Sequence, residues 1–206
     1  MSASTAPESE PVAWATVEIP APPGEVRQYA GELAAVVRLH PYLDIRAWEG
    51  PPGPVAEGKR YRLKALNEWT GIERDIVLTV EQADDSGYRI GYSEGLKHAL
   101  ELRISPHDNG AALTLREHYR EPDDASRDAL NREIDRGITP WAIALRRDFL
   151  RVRRWGRNAA FRWLRRYWLG MRARERRIAR LIVWVTVLEF VVFLFVFAIY
   201  WNEATR

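Results

Sequence analysis

The sequence predicts an α+β domain followed by one membrane-spanning helix, and three observations carry this. Between Leu43 and Tyr119 apolar and polar residues alternate in short runs separated by turn clusters, the period of antiparallel strands. On either side of that region the apolar period lengthens to three and four residues, as in helices. From Leu181 to Trp201 the chain reads LIVWVTVLEFVVFLFVFAIYW. At 1.5 Å per residue this is about 31 Å, the thickness of a bilayer's hydrocarbon core.

Taken in order, residues 1–11 have no basic patch followed by an apolar run, so they read as a short disordered leader and not a signal peptide. Val12 to Ile19 alternates as a first strand, stopped by Pro20, Pro22 and Pro23. Pro23 suits the first turn of a helix bearing Val26, Tyr29, Ala30 and Leu33, and a second short helix, Ala34 to Leu39, ends before Pro41. Strands follow at Leu43 to Glu49, Lys59 to Trp69, Ile72 to Glu81, Tyr88 to Ser93, His98 to Ser105 and Ala111 to Tyr119. Their short connections argue a meander and not crossovers. Asp124 or Ser126 is placed to cap a long helix that Gly137 and Pro140 should break or kink. Beyond the kink Trp141, Leu145, Phe149 and Val152 keep one apolar face.

Alternation selects the more apolar strand face: Tyr61, Leu63, Ala65 and Trp69; Ile76, Leu78 and Val80; Tyr88, Ile90 and Tyr92; His98, Leu100, Leu102 and Ile104; Leu113, Leu115, Glu117 and Tyr119. It should meet Ile134, Ile138, Trp141 and Leu145 of the helix. Most of these positions need no ligand, since an apolar face at the right period makes a filled core. His98, Glu117 and the tyrosines differ, because buried polar atoms demand partners.

The segments VEIPAPPGEVRQYAGEL, LHPYLDIRAWEG and EGKRYRLKA resemble the opening elements of the START-like or SRPBCC superfamily, the polyketide cyclase/dehydrase and lipid-transport group. The resemblance covers residues 12 to about 152 and rests mainly on element order. It implies a helix-grip fold over residues 12–150, a curved antiparallel sheet wrapped around the long helix and enclosing a cavity for an apolar ligand. The implied lining is Tyr61, Leu63, Trp69, Ile76, Leu78, Tyr88, Tyr92, His98, Leu100, Leu102, Leu115, Glu117 and Tyr119 from the strands, with Ile138, Trp141 and Leu145 from the helix. No catalytic signature defines the superfamily, so it speaks to fold far more than to function.

From Arg146 to Arg180 fourteen arginines face only Asp148 and Glu175, a net charge of +12, whereas the residues before carry 16 basic and 24 acidic side chains, a net of −8. The overall +3 thus hides an acidic domain joined to a basic neck, residues 151–180. Phe149, Val152 and Trp155 leading into it, and then Phe161, Leu164, Trp168 and Met171 within it, recur at intervals of three and four. This predicts an amphipathic helix lying in anionic phospholipid headgroups, with Trp155, Trp163, Tyr167 and Trp168 as interfacial anchors. Lipid phosphate, adjacent to the span, is the expected partner in preference to nucleic acid. Within the span, residues 181–201, fifteen Leu, Ile, Val and Phe side chains contribute roughly −4 to −9 kcal/mol against roughly +3 for Glu189, so insertion wins. The arginines place the N-terminal domain in the cytoplasm and residues 202–206 outside. Arginine outnumbers lysine 28 to 3, a bias of GC-rich genomes, so a bacterial inner membrane is expected.

Chemistry is sparse. There is no cysteine, which excludes disulfides and thiolate catalysis. The four histidines show no metal-ligand spacing, and no cofactor is expected. Gly91 to Gly95 fits a nucleophile elbow, but Leu96 to Ser105 alternates as a strand where that motif needs a helix. His98 with Glu117 or Tyr119 is the one acid–base constellation a cyclase or dehydratase could use. The leading expectation is a membrane-anchored domain binding an apolar or lipid ligand, gated near Gly137 to Pro140. The alternatives are a cyclase or dehydratase, and a non-catalytic module whose Glu189 pairs with another membrane protein.

Overall fold

The computed structural model describes residues 11–120 and 124–204, and the side chains of all of these except 124–136 and 203. The leader, the capping choice between Asp124 and Ser126, the Ile134 contact and the last two residues therefore lie outside the described residues. Seven strands, β1 (Val12–Ile19), β2 (Leu43–Glu49), β3 (Arg60–Asn67), β4 (Glu73–Asp84), β5 (Gly87–Tyr92), β6 (Lys97–His107) and β7 (Gly110–Tyr119), form one antiparallel sheet. Its order is β1-β7-β6-β5-β4-β3-β2, so β1 closes back on β7 while the rest is a meander. Between β1 and β2 come α1 (Pro23–Ala30) and α2 (Leu33–Arg38); after β7 come α3 (Asp124–Trp155), α4 (Ala159–Gly170) and α5 (Ala173–Ala204).

The alternating face is the buried one. Leu63, Leu78, Ile90, Leu100, Leu102, Leu113 and Leu115 are almost wholly buried against Trp141, Leu145 and Phe149 of α3. Pro140 lies inside α3 without ending it, so the expected break is absent. Trp141 donates its indole N–H to the Val36 carbonyl at 2.9 Å, which ties α3 to α2. Tyr88 does the same for the end of α1, donating to the Ala30 carbonyl at 3.1 Å. Register shifts at Arg46, Glu81 and His98 mark three bulges, which bend the sheet around the helix.

The neck is not one amphipathic helix. Gly156 donates to the Val152 carbonyl at 2.7 Å as the chain turns off α3, and a Cβ at Gly156 would lie 2.4 Å from that oxygen. Only glycine fits there. Asn158 then caps α4, its Oδ1 accepting from the N–H groups of Ala160 and Phe161. A second cap starts α5, where Glu175 accepts the Arg172 N–H at 2.9 Å. Residues 151–155 thus continue the long helix, and α4 folds back on the domain. Arg165 donates to Asp148, which also accepts from Tyr29 at 2.9 Å, and the Leu169 side chain is buried.

Candidate functional site

Between the inner face of β3, β4 and β6, the end of α2 and Trp141 lies a cavity of about 490 Å³. Val37, Leu43, Leu63, Ala65 and Ile76 supply its apolar wall. The exposed lining residues Thr70, Ile72, Glu94 and Leu96 mark its mouth at the β3–β4 and β5–β6 turns. Beside it a crevice of about 20 Å³, room for one water, is lined by His40, Trp69, Lys97, Glu117, Tyr119 and Gly137.

The polar end of this space is built by the bulge in β6. Lys97 pairs with Tyr119 and Ala99 with His118, which leaves His98 as the extra residue. The side chains therefore change face at this point. Lys97, not His98, comes onto the inner face and donates to Glu117, whose other oxygen accepts from the Tyr119 hydroxyl. The expected His98–Glu117 pair is not formed, and the His98 ring instead lies 6.0 Å from that of His118. Burial opposes the Glu117 charge, but the Lys97 charge and the two hydrogen bonds outweigh it and hold its pKa below the usual carboxylate value. Lys97 Nζ also sits 5.9 Å from the ring centres of both Tyr92 and Trp141.

His40 completes the cluster, its ring 5.0 Å from that of Trp141. Burial first, and the Lys97 charge second, push its pKa down to about 3. It is therefore neutral near pH 7. Its Nδ1 accepts the Tyr42 N–H at 3.3 Å, which assigns the ring proton to Nε2 on the crevice side, where Gly137 lies. Burial, and then the Glu117 charge, raise the Tyr92 pKa, so its phenol stays protonated.

Of the residues singled out by alternation, Leu63, Ile76, Tyr92, Tyr119 and Trp141 line the cavity, and Glu117 and Trp69 line the crevice. Trp69 stands in the turn after β3, half exposed and tilted against Tyr42 at 5.9 Å, because that strand ends at Asn67. Leu78, Tyr88, Leu100, Leu102, Leu115, Ile138 and Leu145 are buried in the core away from the cavity. Tyr61 is buried but faces a different groove, beside Trp48. Sequence reasoning missed Val37, His40, Leu43 and Lys97. His40 before Pro41, at a helix end, was the available signal. Lys97 had none, since a bulge leaves no mark in an alternation pattern.

Ser93, the elbow serine, lies in a strand–turn–strand connection, and its Oγ accepts the Val77 N–H at 2.9 Å. Among the described residues no group of three metal-ligating side chains occurs.

A curved seven-stranded sheet gripping a long helix, with a cavity between them, defines a START-like helix-grip protein. The chain belongs to the family described as polyketide cyclase / dehydrase and lipid transport, which it matches over residues 13–166. Solved structures agree on the fold. The protein TTHA0849 of Thermus thermophilus is 20% identical, with 68% of this chain and 97% of that one covered at a TM-score of 0.53. The Zhui aromatase/cyclase of a Streptomyces species is 16% identical, covering 69% and 94% at 0.52. NE0264 of Nitrosomonas europaea is 11% identical, covering 71% and 98% at 0.53. No curated protein matches the chain.

Beyond the matched region, α5 is the one helix among the described residues long and apolar enough to cross a membrane. Every side chain from Leu181 to Trp201 is exposed, Glu189 included. Trp155, Trp163 and Tyr167 are exposed, with Trp163 and Tyr167 stacked at 6.0 Å, while Trp168 is half-buried.

Proposed function

We propose that the cavity binds an apolar or lipid-class ligand at the face of a membrane that α5 spans, the domain on the cytoplasmic side. The observation that carries this is where α5 meets the domain. Arg177, four residues before the apolar run, donates to the Glu68 carboxylate and to the Pro41 carbonyl. Glu68 lies in the turn that bears Thr70 and Ile72 at the cavity mouth, and Pro41 follows His40 of its lining. Arg177, which holds this turn, thus lies about 6 Å along the helix before the start of the apolar run. A ligand leaving the bilayer meets the apolar rim of Ile72 and Leu96, then the walls of Leu63 and Ile76, and leaves its polar end at Lys97. Apolar burial drives capture at about 25 cal/mol per Å².

Lipid co-purifying with the full chain, identified by mass spectrometry, tests this. Replacing Leu63 by Trp fills the cavity and should remove the bound lipid while leaving the protein folded. Equal lipid on both proteins, or none on either, overturns the reading.

A second reading, a cyclase or dehydratase, is favoured by the cluster of Lys97, Glu117, Tyr119 and His40, and a structural neighbour is an aromatase/cyclase. Against it, both His40 and Glu117 have pKa values moved down, away from neutrality. A general base needs the opposite. Turnover of any aromatic or polyketide substrate that Glu117→Gln abolishes would establish the enzyme.

A further inference from the structure

His40, Lys97 and Tyr119 line both the cavity and the one-water crevice, so the two spaces adjoin at these side chains. Donors prevail where they meet. His40 Nδ1 accepts the Tyr42 N–H, so Nε2 carries the ring proton, and no group among the described residues takes it. Lys97 gives one N–H to Glu117 and keeps two more. Tyr92 lines the cavity beside Lys97, and its hydroxyl has no hydrogen-bond partner among the described residues. The two Glu117 oxygens, in contrast, are already engaged by Lys97 and Tyr119.

The formal charges around this space cancel. Lys97 is matched by Glu117, Arg74 and Glu94 on the cavity lining are of opposite sign, and His40 is neutral. A carboxylate or phosphate brought to Lys97 would stand against the buried Glu117 charge, at a cost that a carbonyl oxygen does not incur. A carbonyl accepts two hydrogen bonds and brings no proton that needs an acceptor. Size is set by the cavity, about 490 Å³. At roughly 30 Å³ per heavy atom, the share of a water in the liquid, it seats about sixteen heavy atoms. That is one chain or a small ring system, and not the two chains of a phospholipid.

We infer that the core cavity takes a neutral single-chain carbonyl compound, a ketone, aldehyde or ester, with its oxygen in the crevice between His40 and Lys97 and its chain along Leu63 and Ile76. This rests on the cavity being the ligand site proposed above. His40 and Lys97 then decide which head group enters, while the apolar wall decides only how long a chain follows it.

The test uses the full chain in phosphatidylcholine nanodiscs, equilibrated at neutral pH with equal amounts of methyl tridecyl ketone, tetradecanoate and hexadecane, which match in heavy-atom count. Probe bound in excess of empty nanodiscs is measured by gas chromatography and mass spectrometry. The ketone should exceed each of the others by about tenfold, as two added hydrogen bonds predict. His40→Phe should lower ketone binding several-fold and leave hexadecane unchanged. Glu117→Gln, which leaves the Lys97 charge without its partner, should turn the preference from ketone to tetradecanoate. The wild-type ratios decide even where Glu117→Gln does not fold. Tetradecanoate or hexadecane bound as well as the ketone by the wild type, or phosphatidylcholine retained in place of all three, overturns the carbonyl assignment and leaves the cavity a ligand site. No probe or phospholipid bound, or equal binding by Leu63→Trp, overturns the site itself.

Discussion

At the scale of single residues, the Lys97–Glu117–Tyr119 cluster and His40 set how the protein responds to acid. In the folded state the Glu117 pKa is depressed, so the stability it contributes is present above its unfolded value and lost as pH falls through the folded one. His40 works in the same direction. It stays neutral in the fold down to about pH 3, whereas the unfolded chain takes up a proton below 6.5. Denaturant midpoints of the full chain in detergent should be flat above pH 7 and fall below 6.5. His40→Gln should remove the part of the fall between 6.5 and 4.5, and an unchanged slope would refute this. Lys97→Met leaves Glu117 buried with Tyr119 alone and should cost about 3 kcal/mol, much of it recovered by adding Glu117→Gln. Glu189→Leu should make insertion of α5 more favourable by about 3 kcal/mol. If it also changes which membrane proteins co-purify, Glu189 is a contact.

At the scale of elements, the connection from α3 through α4 to α5 decides where the cavity sits relative to α5. Its fixed points are the Gly156 turn, the Asn158 cap and the Arg165–Asp148–Tyr29 cluster. Asp148→Ala leaves Arg165 half-buried without its main acceptor and should release α4 before the sheet loosens. Hydrogen exchange should then rise in Ala159–Gly170 while β6 and β7 stay protected; uniform loss of protection would contradict this. Within α3, a Cβ at Gly137 would meet nothing closer than His40 Nε2 at 3.8 Å. Gly137→Ala should accordingly stabilise α3 by about 0.5–1 kcal/mol. If this segment gates the cavity, the same change should slow ligand release.

At the scale of the whole molecule, an acidic helix-grip domain and an apolar helix are joined so that the domain's own carboxylates absorb part of the neck's positive charge. Asp148, Glu25, Glu32 and Glu68 do this. Fewer neck arginines therefore remain unpaired than composition suggests, and Arg177 ties the start of α5 to the domain through Glu68 and Pro41. Removing Leu181–Trp201 should move the protein from the membrane pellet to the supernatant. The truncated chain should bind anionic vesicles only weakly through Trp163, Tyr167 and Arg166, which sedimentation would measure.

What residue order alone determined is what depends on local period. Strand alternation, proline stops and the long apolar run located nearly every element, since burial of one sheet face and an unbroken apolar helix both write a pattern into neighbouring residues. What only the tertiary structure decided depends on contacts between distant parts of the chain. The bulge at His98 turned Lys97 inward, because strand pairing with Tyr119 and His118, and not alternation, sets which face a side chain takes. The α2–β2 corner brought His40 and Leu43 to the cavity. The turn at Gly156 folded the neck back, so arginines that read as one cationic face were in part taken up by carboxylates, Glu32 and Glu68 among them more than a hundred residues away. Charge pairing at such separation has no period, and for that reason it left no trace in the sequence.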